Sequence, residues 1–288
     1  MILMALVKGS VIPAIVVGVL GLLLGFMPKV IGNPLRKFLL PLGFLIGYYN
    51  LTGIPQWPPS GSTGSLFFVA LLCIPWAFLS ARRPRIYQFL KWPLWAGTVF
   101  LILRTLIMNG TLPGNLAFFT GQLEILVKIL MIILAGEVLW WTYDRGSMVL
   151  HRCSLALVPL LVMTAMSLAL LFSASGLLSQ LAGTYCAIQA AVMVLAYLRP
   201  KYYDEGSFEV FTVVLIFAFA VIGFFYLDIT LMNMGLLLCP LLIMGLWHRL
   251  PMTPHTESAQ LITLTAVSLI PLSLALWPMY QAYQSTGY

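Results

Sequence analysis

The chain reads as an all-α, polytopic transmembrane helix bundle of about ten spans, and three observations predict it. Only 8% of the 288 residues are charged while 61% are hydrophobic, whereas a soluble domain carries roughly 25% charged residues to face water. The apolar residues fall in blocks of about 16 to 26 parted by short loops, and about 20 apolar residues cross a bilayer's hydrocarbon. The blocks are apolar all round, without the period-two alternation of a membrane barrel strand. Helices then satisfy the backbone inside lipid.

The first span, Ser10–Met27, carries no charge. Its place suits a signal peptide, but its end, Gly25-Phe-Met-Pro28, lacks the small-residue cleavage pattern, so it counts as a span. The second, Phe38–Gly53, opens after Arg36 and Lys37. The third, Leu66–Ala81, follows the run Ser60-Gly-Ser-Thr-Gly-Ser65, read as a flexible connector because no histidine shares its side of the membrane to activate a serine. The fourth, Trp92–Met108, begins after Lys91. The fifth, Gln122–Tyr143, carries Glu124, Lys128 and Glu137 and closes on Trp140 and Trp141. Ser154–Ser173 and Leu177–Leu198 are separated by the Ala174–Gly176 turn. Ser207–Leu227 and Ile229–Trp247 are divided only at Asp228, and Ser258–Gln281 is the tenth. No hydrophilic stretch is long enough for a second domain, so residues 1–288 form a single integral membrane domain.

Basic residues sort into alternate loops. Lys29, Arg36 and Lys37, then Arg82, Arg83, Arg85 and Lys91, then Arg145 and Arg152, Arg199 and Lys201, and Arg249 share one side. The opposite loops, Ile54–Ser65, Asn109–Gly121 and the Ala174–Gly176 turn, hold no Lys or Arg. Positive loops stay cytoplasmic, so both termini are predicted non-cytoplasmic, with Lys8 the one exception near a terminus. The net charge of +7 and pI near 9.3 thus express topology. No basic stripe interleaved with aromatics marks a nucleic-acid surface.

Catalytic and cofactor motifs are missing: there is no P-loop, G-x-G-x-x-G, G-x-S-x-G or H-E-x-x-H, and no cofactor is expected. Cys73, Cys153, Cys186 and Cys239 are scattered without C-x-x-C, as apolar packing residues are. His151, His248 and His255 lack metal-ligand spacing. Asn50-Leu-Thr52 and Asn109-Gly-Thr111 match the glycosylation sequon, which matters only in a secretory-pathway host.

An offset of 116 residues superposes Arg36 on Arg152, Arg83-Pro84-Arg85 on Arg199-Pro200-Lys201, and Tyr87 on Tyr203. One reading is a parallel repeat of four spans, as some transporters use; the other is that topology alone places basic residues at this phase. Gly21 and Gly25, and likewise Gly43 and Gly47, stand four apart, a spacing that lets helices approach closely. Prolines within or near spans (Pro13, Pro41, Pro75, Pro159, Pro240, Pro271) bend helices in transporters and in inert bundles alike.

Charge inside the membrane carries the chemical signal, because it costs several kcal/mol unless it faces the bundle interior and pairs. Arg104 lies about 20 Å from the inner surface by helical rise and Lys128 about 9 Å below the outer one. Glu124 stands one turn above Lys128 in the favoured Glu-to-Lys order. Arg104, Glu124 and Lys128 are therefore expected to form a charge cluster between the fourth and fifth spans. Glu137, nine residues beyond Lys128, falls on the opposite face and within roughly 9 Å of the cytoplasmic side. There it either meets a cation from a cytoplasmic loop or holds a proton. Glu137 is the candidate protonation or cation site; the alternative reading is a structural pair, or an acid snorkelling past the interfacial tryptophans Trp140 and Trp141.

The stretches Gly53-Ile-Pro-Gln-Trp-Pro-Pro59, Ser173-Ala-Ser-Gly-Leu-Leu-Ser-Gln-Leu-Ala-Gly183 and Phe224-Phe-Tyr-Leu-Asp-Ile229 resemble a set of uncharacterised ten-span bacterial membrane proteins of planctomycete-type genomes. The resemblance implies topology and no activity. The drug/metabolite transporters, also ten-span, keep both termini in the cytoplasm, the reverse of the charge bias here. The expected location is a bacterial inner (plasma) membrane.

Three function classes follow. A small-solute or ion transporter of unknown substrate fits the spans, the intramembrane charges and the bent helices. A non-catalytic membrane subunit or scaffold fits the short loops; its partners would be the lipid bilayer and either another membrane protein or a second copy. An intramembrane or lipid-modifying enzyme would have to draw on the cytoplasmic residues His151, Arg152, His248 and His255.

Overall fold

A computed structural model describes residues 7–27, 35–59, 61–82, 84–108, 122–198, 209–249 and 256–285. Among them there is no strand, and ten α-helices occur. They are α1 (Ile12–Gly25, entered through a π-helical turn Val7–Val11), α2 (Leu39–Thr52), α3 (Ser62–Arg82), α4 (Pro84–Met108) and α5 (Gln122–Ser147). The remaining five are α6 (Arg152–Phe172), α7 (Gly176–Leu198), α8 (Glu209–Tyr226), α9 (Leu231–Leu246) and α10 (Glu257–Ser285). Six of the segments among the described residues are long and apolar enough to cross a bilayer: Val7–Gly25, Ser62–Leu79, Leu126–Ser147, Cys153–Phe172, Gly176–Leu198 and Glu257–Ser285. Large apolar side chains such as Ile15, Phe26, Ile262 and Trp277 point outward, a surface that water would not tolerate at this extent. The chain is an integral membrane protein.

Two helices begin earlier than the sequence predicts. Ser62–Ser65, expected in a flexible connector, is the first turn of α3, and Ser65 Oγ lies 2.6 Å from Leu101 O on α4. The cationic stretch ahead of Trp92, expected as loop, is helical from Pro84. Proline at the first helical position needs no amide partner and has its φ preset for a helix. The consequence is that Lys91 sits two turns inside α4.

The connections follow their local chemistry. The end of α6 closes on a Schellman pattern: Ser175 N–H donates to Leu170 O and Ala174 N–H to Leu171 O, both at 3.0 Å, with Ala174 at φ 59°. Between α8 and α9, Asp228 takes φ 52°, Ile229 N–H donates to Gly223 O at 3.1 Å, and Thr230 Oγ1 caps Asn233 N–H.

α8 is the central pole. Its residues Val210 to Gly223 are all buried, and it packs on α2, α3, α4, α5, α6 and α9. A helix apolar on every side belongs in such a position. Around it, α6 packs on α7 and α10, and α9 on α5 and α10. Gly43 and Gly47 seat α2 closely on its neighbours: a Cβ at Gly47 would lie 2.8 Å from Gly9 O and run into Thr184 of α7. Neighbour relationships differ between the two halves of the chain. α3 lies along α4, whereas the extensive contacts of α7 are with α6, α1 and α2.

Helix ends group into two sets. At one, Asn50 Nδ2 donates to Lys8 O (3.1 Å), Thr184 Oγ1 to Gly9 O (2.7 Å) and Tyr226 Oη to Ile102 O (2.7 Å). At the other, Arg36 Nη2 donates to Leu24 O (3.2 Å) and His151 N–H to Gln260 Oε1 (2.9 Å). Arg36, expected in a cytoplasmic loop, is buried against the last carbonyls of α1, where the negative end of the helix favours a cation.

Candidate functional site

The early start of α4 places Lys91, Trp95 and Thr98 on one helical face, at the i, i+4 and i+7 positions. Trp95 and Thr98 are fully buried. Opposite them, α5 presents Gly136, whose missing side chain makes room for the Trp95 ring: a Cβ there would lie 3.1 Å from the indole. Phe217 of α8 and Trp140 of α5 meet the same indole edge-on at 4.8 and 6.0 Å between centroids. With the helices held this close, Lys91 Nζ donates to Glu137 Oε2 at 2.6 Å.

The side chains of Lys91 and Glu137 are 20% and 18% exposed. The pair is thus largely buried within the helices. No hydrogen-bond partner reaches Glu137 Oε1, Trp95 Nε1 or Thr98 Oγ1 among the described residues. Buried polar atoms are nearly always partnered; among the described residues, Arg36 Nε, Ser154 Oγ, Trp247 Nε1 and Ser268 Oγ elsewhere in the bundle share this state. One carboxylate oxygen of Glu137 holds the ammonium, and the other is buried.

Of the expected outer cluster, the side chains of Arg104 and Lys128 lie among the described residues. Arg104 Nη1 donates to Pro59 O at 3.4 Å, fastening the connection before α3 to the end of α4. Lys128 lines an apolar groove with α8 and α9. The side chain of Glu124 lies outside the described residues. Lys128 and Glu137 therefore turn to different neighbours, the groove and α4.

Sequence reasoning did not single out a second polar group at the bundle centre. Tyr185 Oη of α7 lies 3.0 Å from Thr212 Oγ1 of α8 and 3.4 Å from Gln189 Oε1, and Gln189 Nε2 donates to Ala156 O of α6 at 3.3 Å. All three side chains are buried. Each partner is satisfied, so the group ties three helices together.

His151 is exposed, while the side chains of Arg152, His248 and His255 lie outside the described residues. Among those described, no three His, Cys, Asp or Glu residues gather as a metal site. Compared with family models, curated proteins and solved structures, the chain matches none.

Proposed function

We propose that all ten helices span the membrane, with both termini non-cytoplasmic, and that the protein is a small-solute or ion permease in which Glu137 exchanges its ion pair for a proton or cation. The Lys91–Glu137 contact at 2.6 Å carries this reading. Positive-inside placement of the basic loops puts the pair toward the cytoplasmic face. Ionisable side chains in such a position, pairing across two helices, commonly mark ion and proton pathways. Protonating Glu137 would remove its negative charge and release Lys91, loosening α4 from α5. An exchange that breaks a contact between two helices can shift the balance between two helix arrangements. The differing neighbours of α3 and α7 leave this reading independent of any internal repeat.

The test uses single cysteines at positions 104, 128 and 137 in a background lacking Cys73, Cys153, Cys186 and Cys239, probed with a water-soluble thiol reagent in intact membranes. Labelling at 137 is expected, because a permease must let water reach its exchange site. Protection at all three positions, in folded and inserted variants, would sink the permease reading.

A second reading, a membrane subunit, draws on the exposed apolar flank of α5 and α9, where Met131 and Leu231 are 56% and 73% exposed. It expects a stoichiometric protein partner to remain bound in mild detergent.

A further inference from the structure

We infer that the groove between α5, α8 and α9 binds one anionic phospholipid, with an acyl chain along its apolar wall and the phosphate on Lys128. The groove holds about 630 Å³, within the roughly 300–1,000 Å³ of small-molecule sites. Its lining is apolar apart from Lys128 at one end: Ile132 and Leu139 of α5, Phe217 and Phe224 of α8, and Leu238 of α9 represent the three walls. From Lys128 to Leu139 it runs about 16 Å along α5. It exists because α8 and α9, although joined by residues 227–230 alone, diverge. α8 turns to the bundle centre and α9 packs on α5, α6 and α10.

Lining and charge choose the occupant. A hydrocarbon chain has no polar groups to satisfy, which suits a wall whose one charged residue is Lys128. At Gly235, on the groove wall, a Cβ would meet nothing within 4 Å, so the groove is open rather than filled by neighbouring side chains. Lys128 lies about 9 Å from the start of α5, and a lysine at that depth extends its ammonium toward the interface, where lipid phosphates sit. An ammonium has three donors, so a phosphate oxygen can join any other acceptor that Lys128 holds.

To test this, the purified full-length chain, stripped of lipid in detergent, is titrated with dioleoyl phosphatidylglycerol or dioleoyl phosphatidylcholine. Native mass spectrometry counts the bound lipid, and Tm is recorded in the same samples. One phosphatidylglycerol is expected to bind with about fivefold preference, the size of one lysine's attraction to anionic lipid. Lys128→Gln should abolish the preference, and Gly235→Phe should weaken binding of both lipids about tenfold or more. Gly235→Leu, a smaller insertion, serves if the phenylalanine variant fails to fold. Equal binding of the two lipids to the native chain, or a preference that survives Lys128→Gln, overturns the headgroup assignment. Unchanged binding in a folded Gly235 variant overturns the groove itself. So does a dimer mass that disappears in Gly235→Phe, since it would assign the groove to a second copy.

Discussion

Lys91 and Glu137 stand 46 residues apart in the chain, and their side chains meet at 2.6 Å between the first part of α4 and the second half of α5. The contact depends on two local features: a helix that starts at Pro84 and a glycine at position 136 that admits the Trp95 ring. Removing one partner leaves a lone charge among apolar side chains. Breaking a buried pair costs about 3–5 kcal/mol, and for this partly exposed pair about 2 kcal/mol is expected. Lys91→Met should lower the Tm in detergent accordingly, while the double variant Lys91→Met, Glu137→Met should recover most of the loss. A double variant as unstable as the single one would show that the ion pair is not what holds α4 to α5.

At the turn between α6 and α7, Ala174 adopts φ 59°, a left-handed conformation that costs a side-chain-bearing residue roughly 1 kcal/mol. Ala174→Gly is expected to stabilise the protein by about 0.5–1 kcal/mol. A rise in Tm checks this; a fall would mean that the alanine methyl contributes contacts that outweigh the backbone relief.

The Tyr185 hydroxyl joins α7 to Thr212 of α8 in the bundle centre. Hydrogen bonds between membrane helices average about 0.6 kcal/mol and reach about 1.7. Tyr185→Phe should fall in that range, and Thr212→Val should cost a similar amount. The double variant should cost less than the sum of the two, measured by chemical unfolding in mixed micelles. Strict additivity would mean that the two groups do not interact.

Close packing of α2 on α1 and α7 requires glycine at position 47, because a Cβ would lie 2.8 Å from Gly9 O. The atom in the way is backbone and cannot rotate aside, so Gly47→Val is expected to destabilise by about 2 kcal/mol or more. At Gly18 of α1, where a Cβ meets nothing within 4 Å, the same change should be almost neutral. Expression level and Tm of the two variants provide the comparison.

Sidedness is checked by two further cysteines in the cysteine-free background, both at exposed positions. With the basic loops inside, Gln56→Cys should react with an impermeant maleimide in intact cells. Thr256→Cys should react only after permeabilisation. The opposite pattern would invert the topology.

The ten apolar segments and their alternating cationic ends are legible in the chain itself. Hydrocarbon leaves a backbone few choices, and charge is too costly to place at random. Glu137 stands out for the same reason. Its partner does not, since Lys91 belongs to a cluster of cations that suits a cytoplasmic loop, and only the path of α4 carries it to α5. Tyr185, Gln189 and Thr212 are uncharged and fit any helix, so no pattern marks them before the helices are assembled. Most telling are α1 and α8, two strongly apolar helices with opposite fates; α8 carries a charge only at its first residue, Glu209. α1 turns much of its surface outward, while α8 is buried from Val210 to Gly223. In water, an apolar stripe shows which side of a helix faces the core. In lipid the surroundings are as apolar as the core, and that contrast vanishes. The sequence by itself therefore determined helices and their order. Which helix stands at the centre, and which charges meet, was decided by packing in three dimensions.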